Sequence, residues 1–176
     1  GAFICGSTRM SEFGFGLQNS RAGEALQQDA ADAELVLDLM GESRLAASRS
    51  TVCGFKPSYG LISRYGLVDL IPSMECCGIL SHSLKNIRDI VKTAAGPDEM
   101  DYSLPDNNSP DFSPNGTDPG KITLGIIKEA QSDLPAEEGK MFRNTLDELT
   151  QAGLTMKEIS LPDFSLFSLV HQVVGS

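Results

Sequence analysis

The sequence predicts a mixed α/β fold, and three observations lead to this expectation. An apolar stretch at 122–127 precedes a helical pattern over 136–152, and a strand-like stretch at 154–161 follows that helix. A strand, a helix and a strand in this order form a parallel βαβ unit. A second helical pattern covers 83–95. The composition, with 40% hydrophobic and 22% charged residues, is ordinary for a globular protein of 176 residues, and we expect one domain over 1–176.

The first third of the chain predicts shorter elements. Residues 1–6 (GAFICG) indicate a short buried strand, and residues 24–34 (EALQQDAADAE) favour helix by composition. Residues 35–37 and 52–55 are strand-like, and a polar connection rich in Ser and Arg joins them. The Gly- and Tyr-rich passage that follows predicts short extended pieces separated by turns.

The two helices of the later part have clear ends. In 83–95 the apolar residues share one face, Ser83 can cap the start and Gly96 follows the end. In 136–152 apolar residues recur at i, i+4 and i+7, and Gly153 follows the end. The residues that make these patterns are Leu84, Ile87, Ile90, Val91 and Ala94 in the first helix and Phe142, Leu146 and Leu149 in the second.

The charge of the chain is concentrated in its second half. The net charge is −1 over 1–96 and −9 over 97–176. An acidic surface repels phosphate backbones, so we expect tRNA to be bound only indirectly, if at all. Residues 97–120 contain five Pro and five Asp without periodicity, which predicts a long surface loop.

Cysteine usage and hydropathy indicate a compartment and exclude some functions. Cys5, Cys53, Cys76 and Cys77 lack CxxC spacing and do not cluster with histidines, so we expect no metal site, no cofactor and reduced thiols in an intracellular protein. No apolar run approaches the roughly 20 residues of a membrane span. The apolar stretch 164–176 and the first residues of the chain predict a protein partner that covers them.

One run is specific enough to indicate a family. Residues 54–68, GFKPSYGLISRYGLV, resemble the amidase signature family, and within it the A subunits of glutamyl-tRNA(Gln) amidotransferases, most of all the mitochondrial ones. The similarity continues, in the family's order, through further segments: Gly6–Phe13, Ser73–Glu75, Gly78–Leu80, Ala94–Asp98, Leu124–Ile126, Lys128–Glu129 and Glu158–Pro162. It therefore covers most of the chain.

The resemblance implies a fold and a chemistry. The fold is a mixed β-sheet with helices on both faces, of which this chain would form a part. The chemistry is attack of a serine on an amide, relayed by a second serine in cis-peptide geometry and a lysine, with backbone N–H groups facing the oxyanion. In the A subunits this reaction releases ammonia from glutamine for transamidation of Glu-tRNA(Gln) by a partner subunit.

The catalytic positions of the family are altered in this chain. The family's Asp-Thr-Gly-Gly-Ser-x-Arg segment aligns without gaps with Asp38–Arg44. Asp38, Gly41 and Arg44 are identical to the family's residues, so we interpret them as a vestige of its substrate-binding loop. The nucleophilic serine then falls on Glu42, and a slip by one residue offers Ser43 instead.

Two further catalytic elements are missing from the sequence. Only 14 residues separate Gly23 from Asp38, and they do not contain the Gly/Ser-rich stretch that carries the relay serine. The catalytic lysine belongs to a segment upstream of Gly1. No catalytic residue is therefore predicted with the family's role.

Three functions follow from these observations. The first is a non-catalytic amidase-fold remnant that acts as a structural subunit of a larger, mitochondrial assembly. The second is a fragment or divergent isoform of an amidotransferase A subunit. The third is a small autonomous serine hydrolase that uses Ser43 or Ser81, the latter beside His82.

Overall fold

The computed structural model describes residues 4–7, 21–68, 71–105, 110–113, 116–132 and 134–174. The chain divides into two compact units, Gly1–Phe112 (unit 1) and Ser113–Ser176 (unit 2). The boundary lies within the predicted loop 97–120, whose described residues contain turns and one 3-10 turn, Pro119–Lys121. No described helix is long and apolar enough to cross a membrane.

Within its described residues, unit 1 contains a three-stranded sheet and three helices. In chain order these are α1 (Glu24–Gln27), β1 (Ala33–Asp38), α2 (Glu42–Ser50), β2 (Cys53–Phe55), β3 (Cys76–Ser81) and α3 (Leu84–Ala94). The strand order is β1-β3-β2, and β3 is antiparallel to both neighbours. The register pairs Asp38 with Cys76 and Ala33 with Ser81.

The central strand β3 was not expected from the sequence. Every residue of Cys76–Ser81 except Cys77 is buried. A strand covered on both faces has no alternation of apolar and polar residues, which is the pattern that reveals half-exposed strands. The predicted strands at 35–37 and 52–55 are confirmed as β1 and β2.

The polar connection predicted between these two strands is present, and it forms a helix, α2, that the sequence did not predict. The buried side of this helix carries small residues, Ser43, Ala46, Ala47 and Ser50, spaced three and four apart. This is helical spacing, but Ser does not count as apolar and the segment therefore shows no apolar stripe. Small side chains let the helix approach β2 and β3 closely: a Cβ on Gly54 would lie 2.6 Å from the Ala47 Cβ.

Among the described residues of unit 1, the core contains two apolar clusters. One joins α1, β1, α2 and β3 through Ala22, Leu26, Val36, Ala46, Ala47 and Leu80. The other joins β3 to α3 through Ile79, Ile87 and Val91. The predicted helix 83–95 is confirmed, and the Ser83 hydroxyl caps it by accepting a hydrogen bond from the Asn86 amide at 3.2 Å.

Two predictions for the beginning of the chain need correction. The helix expected over 24–34 is only the single turn of α1, because β1 already begins at Ala33. The strand expected over 1–6 is absent from its described part. Residues 4–7 are exposed and not in a strand, with Ile4 88% exposed, and residues 1–3 lie outside the described residues.

Unit 2 contains the predicted βαβ unit. Its elements are β4 (Thr123–Ile127), α4 (Ala136–Gln151) and β5 (Thr155–Ile159), followed by α5 (Phe164–Val174). The two strands pair in parallel, with Thr123 opposite Thr155 and Ile127 opposite Ile159. Gly153, at φ 100°, lies between α4 and β5, where a left-handed backbone conformation favours glycine.

Burial within unit 2 is very low. Among its described residues, Gly139 is the only buried one. The apolar side chains of α5 are largely exposed, with Phe167 at 62% and Val170 at 57%.

Candidate functional site

The candidate site is the turn from β1 to α2, where the sequence placed the family's nucleophile loop. Asp38 is the last residue of β1 and has no exposed surface. One carboxylate oxygen, Oδ1, accepts a hydrogen bond from the Gly41 amide at 2.6 Å. The other, Oδ2, accepts hydrogen bonds from the amide of Ser43 at 3.0 Å and from the Ser43 hydroxyl. Asp38 therefore holds the first turn of α2 against the end of the strand.

Lys56 completes this network from the chain that follows β2. Its ammonium group donates a hydrogen bond to the carbonyl oxygen of Asp38 at 2.6 Å and lies 3.4 Å from the Oδ1 atom of the same residue. The lysine side chain is 23% exposed. The sequence predicts a surface or packing role for Lys56, because this residue lies in the family's GFKPSYG run. The ion pair could not be predicted, because Lys56 is 18 residues from Asp38 along the chain.

The surroundings keep Asp38 ionised. Burial alone would raise the pKa of Asp38. The hydrogen bonds from the Ser43 hydroxyl and amide, the charge of Lys56 and the hydrogen bond from Gly41 outweigh this effect and lower the pKa below its ordinary value. At neutral pH the network therefore contains a buried carboxylate with its partners in place.

Glu42 is the first residue of α2 and turns back toward the loop that precedes it. Its Oε2 atom accepts hydrogen bonds from the amides of Met40 at 2.8 Å and Gly41 at 3.1 Å. An acidic side chain is favourable in the first turn of a helix, where the backbone dipoles point their positive ends. Two backbone amides of this turn thus converge on one carboxylate oxygen.

Ser43 lies beneath the turn rather than on its surface. It has no exposed area. A Cβ placed on Gly78 would lie 2.8 Å from the Ser43 Cβ, and one placed on Gly54 would lie 2.5 Å from the Ser43 carbonyl oxygen. The two strands β2 and β3 therefore approach Ser43 so closely that only glycine fits at these positions.

The structure brings the predicted loop residues together and leaves the other serine apart. The hydrogen bonds described above join Asp38, Gly41, Glu42 and Ser43. The Arg44 guanidinium lies beside Gly41, because a Cβ atom placed on Gly41 would be 2.8 Å from one of its nitrogen atoms. Ser81 is at the far end of β3 from Cys76.

Ser81 and His82 each lie beside a backbone carbonyl oxygen. The fully buried Ser81 hydroxyl donates to the carbonyl oxygen of Asp32 at 2.7 Å. The Nε2 atom of His82 lies 2.9 Å from the carbonyl oxygen of Leu26. Each group therefore has a backbone partner of its own.

A cleft between α1 and α2 adjoins the turn. Its volume is about 230 Å³, and the side chains that line it include Arg21, Glu24, Glu42 and Arg49. Charges of both signs meet there, and Arg21 lies 3.5 Å from Glu24. The described residues contain no group of three or more His, Cys, Asp or Glu that could hold a metal ion.

The fold and the strand–turn–helix site define an α/β protein of the amidase class. The sequence model of the amidase family matches residues 38–172, from the buried aspartate through most of α5, and the chain belongs to this family. The match includes the β1–α2 turn and the βαβ unit.

More particular similarity is to the A subunit of glutamyl-tRNA(Gln) amidotransferase. The chain is 33% identical to that protein from Natronomonas pharaonis, covering 99% of this chain and 47% of the relative. It is 34% identical to the Pediococcus pentosaceus protein, covering 82% of this chain and 30% of the relative. The human mitochondrial protein is 33% identical, with coverage of 81% and 28%.

Solved structures agree with this fold. The crystal structure of the glutamyl-tRNA(Gln) amidotransferase A subunit from Thermotoga maritima superimposes with a TM-score of 0.81 at 23% identity. It covers 87% of this chain and 34% of the Thermotoga chain. A peptide amidase from Stenotrophomonas maltophilia gives a TM-score of 0.69 at 16% identity. The chain thus has a mixed α/β amidase fold and spans less than half of the length of these relatives.

The alignments with two of these relatives differ in length. The alignment with the Natronomonas protein has 202 positions, although this chain has 176 residues, so at least 26 positions of the relative lie opposite gaps. The alignment with the Pediococcus protein has 146 positions for 82% of this chain, which is about 144 residues and nearly free of gaps. Gaps therefore make up a larger share of the alignment with the Natronomonas protein than of the alignment with the Pediococcus protein.

Proposed function

We propose that this chain is a non-catalytic member of the amidase family, a pseudoenzyme that serves as a structural or interaction subunit of a larger mitochondrial assembly. The observation that carries this proposal is the state of the β1–α2 turn. Glu42 stands where the sequence register puts the family's nucleophilic serine, and its carboxylate binds the amides of Met40 and Gly41.

A carboxylate at this place opposes the family's chemistry in two ways. A base can activate a hydroxyl by taking its proton, whereas Glu42 has no hydroxyl to activate. Amides that face a developing oxyanion must be free to donate to it. Here the amides of Met40 and Gly41 already donate to Glu42, so an incoming oxyanion would compete with a tethered anion.

The sequence between Gly23 and Asp38, which lacks the family's Gly/Ser-rich stretch, supports the loss of the relay serine. At least 26 positions of the Natronomonas relative have no counterpart in this chain, whereas the alignment with the Pediococcus protein covers about four fifths of the chain nearly without gaps. The sequence predicts such a loss between Gly23 and Asp38.

The burial of Ser43 and Ser81 argues against a small autonomous hydrolase. A nucleophile must approach within about 3–3.5 Å of the carbonyl carbon that it attacks. Neither serine has exposed surface, and the Ser43 hydroxyl is engaged by Asp38. We propose that Ser43 has a structural role, as part of the hydrogen bonds that anchor α2.

The assembly and its location rest on the relatives. The similar proteins are named as subunits of an amidotransferase, and those from human and Macaca fascicularis are named as mitochondrial. The apolar α5 and the low burial of unit 2 support a protein partner for this chain.

One observation favours the alternative that the chain is a fragment or divergent isoform of an amidotransferase A subunit. The chain spans 28–47% of the length of the relatives described above. This alternative predicts a longer native polypeptide that contains a Gly/Ser-rich segment before Asp38 and hydrolyses glutamine. Peptide mapping of the native polypeptide distinguishes it from the pseudoenzyme, for which the mapped peptides contain no such segment.

Hydrolysis assays on the wild type and two variants test the proposal. We expect the purified chain to hydrolyse neither glutamine nor small amides and esters above the buffer rate, and a fluorophosphonate serine probe to leave it unlabelled. We expect the same of Glu42→Ser, because restoring the hydroxyl does not restore its relay. Hydrolysis by the wild type would overturn the proposal, and wild-type activity lost in Ser43→Ala would establish the small hydrolase instead. Activity gained only by Glu42→Ser would show that the relay is still present and that Glu42 alone blocks the chemistry.

A further inference from the structure

Unit 1 also has a groove, formed by two loop segments that follow the β1–α2 turn in the chain. These segments are residues 57–68 and 98–105, and they contain all three tyrosines of the sequence. The groove has a volume of about 320 Å³, and we call it the tyrosine groove. Of its aromatic side chains, Tyr65 is 67% and Tyr102 is 97% exposed. The residues that line it are Arg64, Tyr65, Met100, Asp101, Tyr102 and Ser103.

The two segments are joined by Arg64 and Asp101. The Arg64 amide donates a hydrogen bond to Oδ2 of Asp101 at 2.8 Å, and Nε of Arg64 lies 3.7 Å from the same oxygen atom. The Arg64 guanidinium also lies over the ring of Tyr59, 4.8 Å from the ring centre. The side chains of Arg64 and Asp101 are only 11% and 9% exposed. The charge of Arg64 is therefore compensated within the protein, and the groove is already formed before anything binds to it.

The 98–105 segment has further hydrogen bonds that hold its turn in place. Oδ1 of Asp98 accepts hydrogen bonds from the amides of Met100 and Asp101, both at 2.9 Å. Oδ1 of Asp101 accepts one from the Ser103 amide at 2.9 Å. A Cβ placed on Gly60 would lie 2.8 Å from the Ser103 carbonyl oxygen, so the two segments meet closely there. A surface held in this way loses little conformational entropy when it binds a partner.

The charge and the aromatic rings of the groove favour a cationic ligand. Asp98 and Glu99, which directly precede the lining residue Met100, are exposed. The face of a tyrosine ring attracts a Lys or Arg side chain, and exposed carboxylates attract the same charge over a longer distance. Exposed Tyr and Met side chains in one groove are also typical of surfaces that bind proteins. A basic segment of a protein matches all three features.

We propose that the tyrosine groove binds a Lys- and Arg-containing segment of a protein partner, with the cations placed over the rings of Tyr65 and Tyr102. The formal net charge of −10 attracts a basic protein and repels a nucleic acid. The residues of this sequence outside the described ranges contain one basic side chain, Arg9, so they do not supply a segment with several cations. The inference rests on the proposed interaction role and names the chemistry of the partner.

The experiment measures how a labelled peptide binds to the full 176-residue chain, by fluorescence anisotropy. The probe is a fluorescein-labelled peptide of alternating Gly and Arg, and the control peptide has Glu in place of every Arg. We expect the Arg peptide to bind and the Glu peptide not to bind. Because a chain with a net charge of −10 attracts any basic peptide, variants of the chain must locate the site.

Two double variants test the aromatic rings. Tyr65→Leu/Tyr102→Leu keeps apolar side chains but removes both ring faces, and we expect the Kd of the Arg peptide to rise by about two- to fivefold per ring. Tyr65→Phe/Tyr102→Phe keeps both ring faces and loses only the hydroxyl groups, and we expect a change of less than about twofold. Because both side chains are exposed, neither double variant should change the urea midpoint of unfolding.

A pair of charge variants separates local attraction from the overall charge. Glu99→Gln removes a carboxylate next to the groove, and Glu137→Gln removes an exposed carboxylate from α4 in unit 2. Both change the net charge by one unit. At about 0.05 M salt we expect Glu99→Gln to weaken binding by about twofold and Glu137→Gln to weaken it less. This comparison tests the location even if the Leu double variant folds poorly.

Four results would overturn the inference. They are no binding of the Arg peptide, binding that the Leu double variant leaves unchanged, equal weakening by the Leu and Phe double variants, and a homodimer of the chain that the Leu double variant dissociates. The last result would identify a second copy as the occupant. Glutamine hydrolysis by this chain would overturn the non-catalytic role without affecting the groove, whereas failure of the peptide to bind would overturn the groove's role without restoring any catalytic group.

Discussion

The two units of this chain differ in what stabilises them. In unit 1, at least eleven apolar residues are buried, and both core clusters are found there. In unit 2, Gly139 is the only buried residue among those described. Because helices in proteins gain most of their stability from packing an apolar face, the buried core of unit 1 gives its helices a source of stability that the described part of unit 2 has to a much smaller extent.

The same difference appears in their carboxylate anchors. In unit 1, the fully buried Asp38 ties β1 to α2. In unit 2, Glu129 ties two segments together by accepting hydrogen bonds from the Leu161 amide at 2.9 Å and from the Ser160 hydroxyl. Glu129 is partly exposed. Hydrogen bonds to a carboxylate are stronger where water is excluded, so the buried anchor contributes more to stability.

The two units should differ most in how much stability they lose when an apolar side chain is truncated. Leu80→Ala removes a fully buried side chain from the core of unit 1, and we expect it to lower the free energy of unfolding by about 2–5 kcal/mol. Leu166→Ala in α5 removes a side chain that is already 48% exposed, and we expect a change within about 0.5 kcal/mol. Urea unfolding followed by far-UV circular dichroism measures both, since the chain has no Trp.

A milder variant keeps this comparison measurable if Leu80→Ala fails to fold. Ile79→Val removes one methylene group at a fully buried site, with an expected loss of about 0.5–1.5 kcal/mol. Equal losses for Ile79→Val and Leu166→Ala would contradict the view that burial is confined to unit 1.

A smaller change in the free energy of unfolding should result from neutralising the two carboxylate anchors, Asp38 and Glu129. Asp38→Asn keeps the size of the side chain but replaces one acceptor oxygen by an amide group, which cannot accept from Ser43 or Gly41 and does not attract Lys56. We expect a loss of about 1.5–3 kcal/mol, the usual range for hydrogen bonds to a charged group. Glu129→Gln should give a much smaller loss, and one that decreases as salt is added, because its carboxylate is accessible to solvent.

Salt dependence provides the control for this pair of variants. The effect of Asp38→Asn should be nearly the same at about 0.05 and 0.5 M salt, since buried pairs are screened far less than exposed ones. An effect of Asp38→Asn that disappears at high salt would mean that the network with Lys56 is open to solvent.

The βαβ unit was the part of the fold that the sequence predicted best. Its strands and helix have apolar residues at regular spacing and a Gly at the helix end, so local pattern and structure agree. The strand β3 and the helix α2 were missed for a common reason. β3 is buried on both faces and α2 packs through Ser and Ala, so neither shows the contrast of apolar and polar faces on which such predictions depend.

The site was predicted in part. The resemblance placed Asp38, Gly41, Glu42 and Ser43 in one loop, and the structure brings them together there. The role of Lys56 could not be read from the sequence, because its contact with Asp38 depends on how the chain returns after β2. The close approach of β2 and β3 to Ser43, at Gly54 and Gly78, likewise depends on how the sheet packs and could not be predicted from the sequence.

The smallest of these effects concerns the pH dependence of the Asp38 anchor. Its pKa is lowered in the folded protein, so the unfolded chain, with a pKa near the usual ~3.9 for Asp, binds the proton more readily. The contribution of ionised Asp38 is therefore fully present above about pH 4 and is lost as the pH falls through the lower pKa of the folded state. Unfolding experiments between about pH 7 and 2 on the wild type and Asp38→Asn measure this contribution as the difference between the two curves. The difference should be constant from about pH 7 to 5 and decrease in acid; a difference that instead changes near neutral pH would show that Asp38 is not held as a carboxylate by Ser43, Gly41 and Lys56.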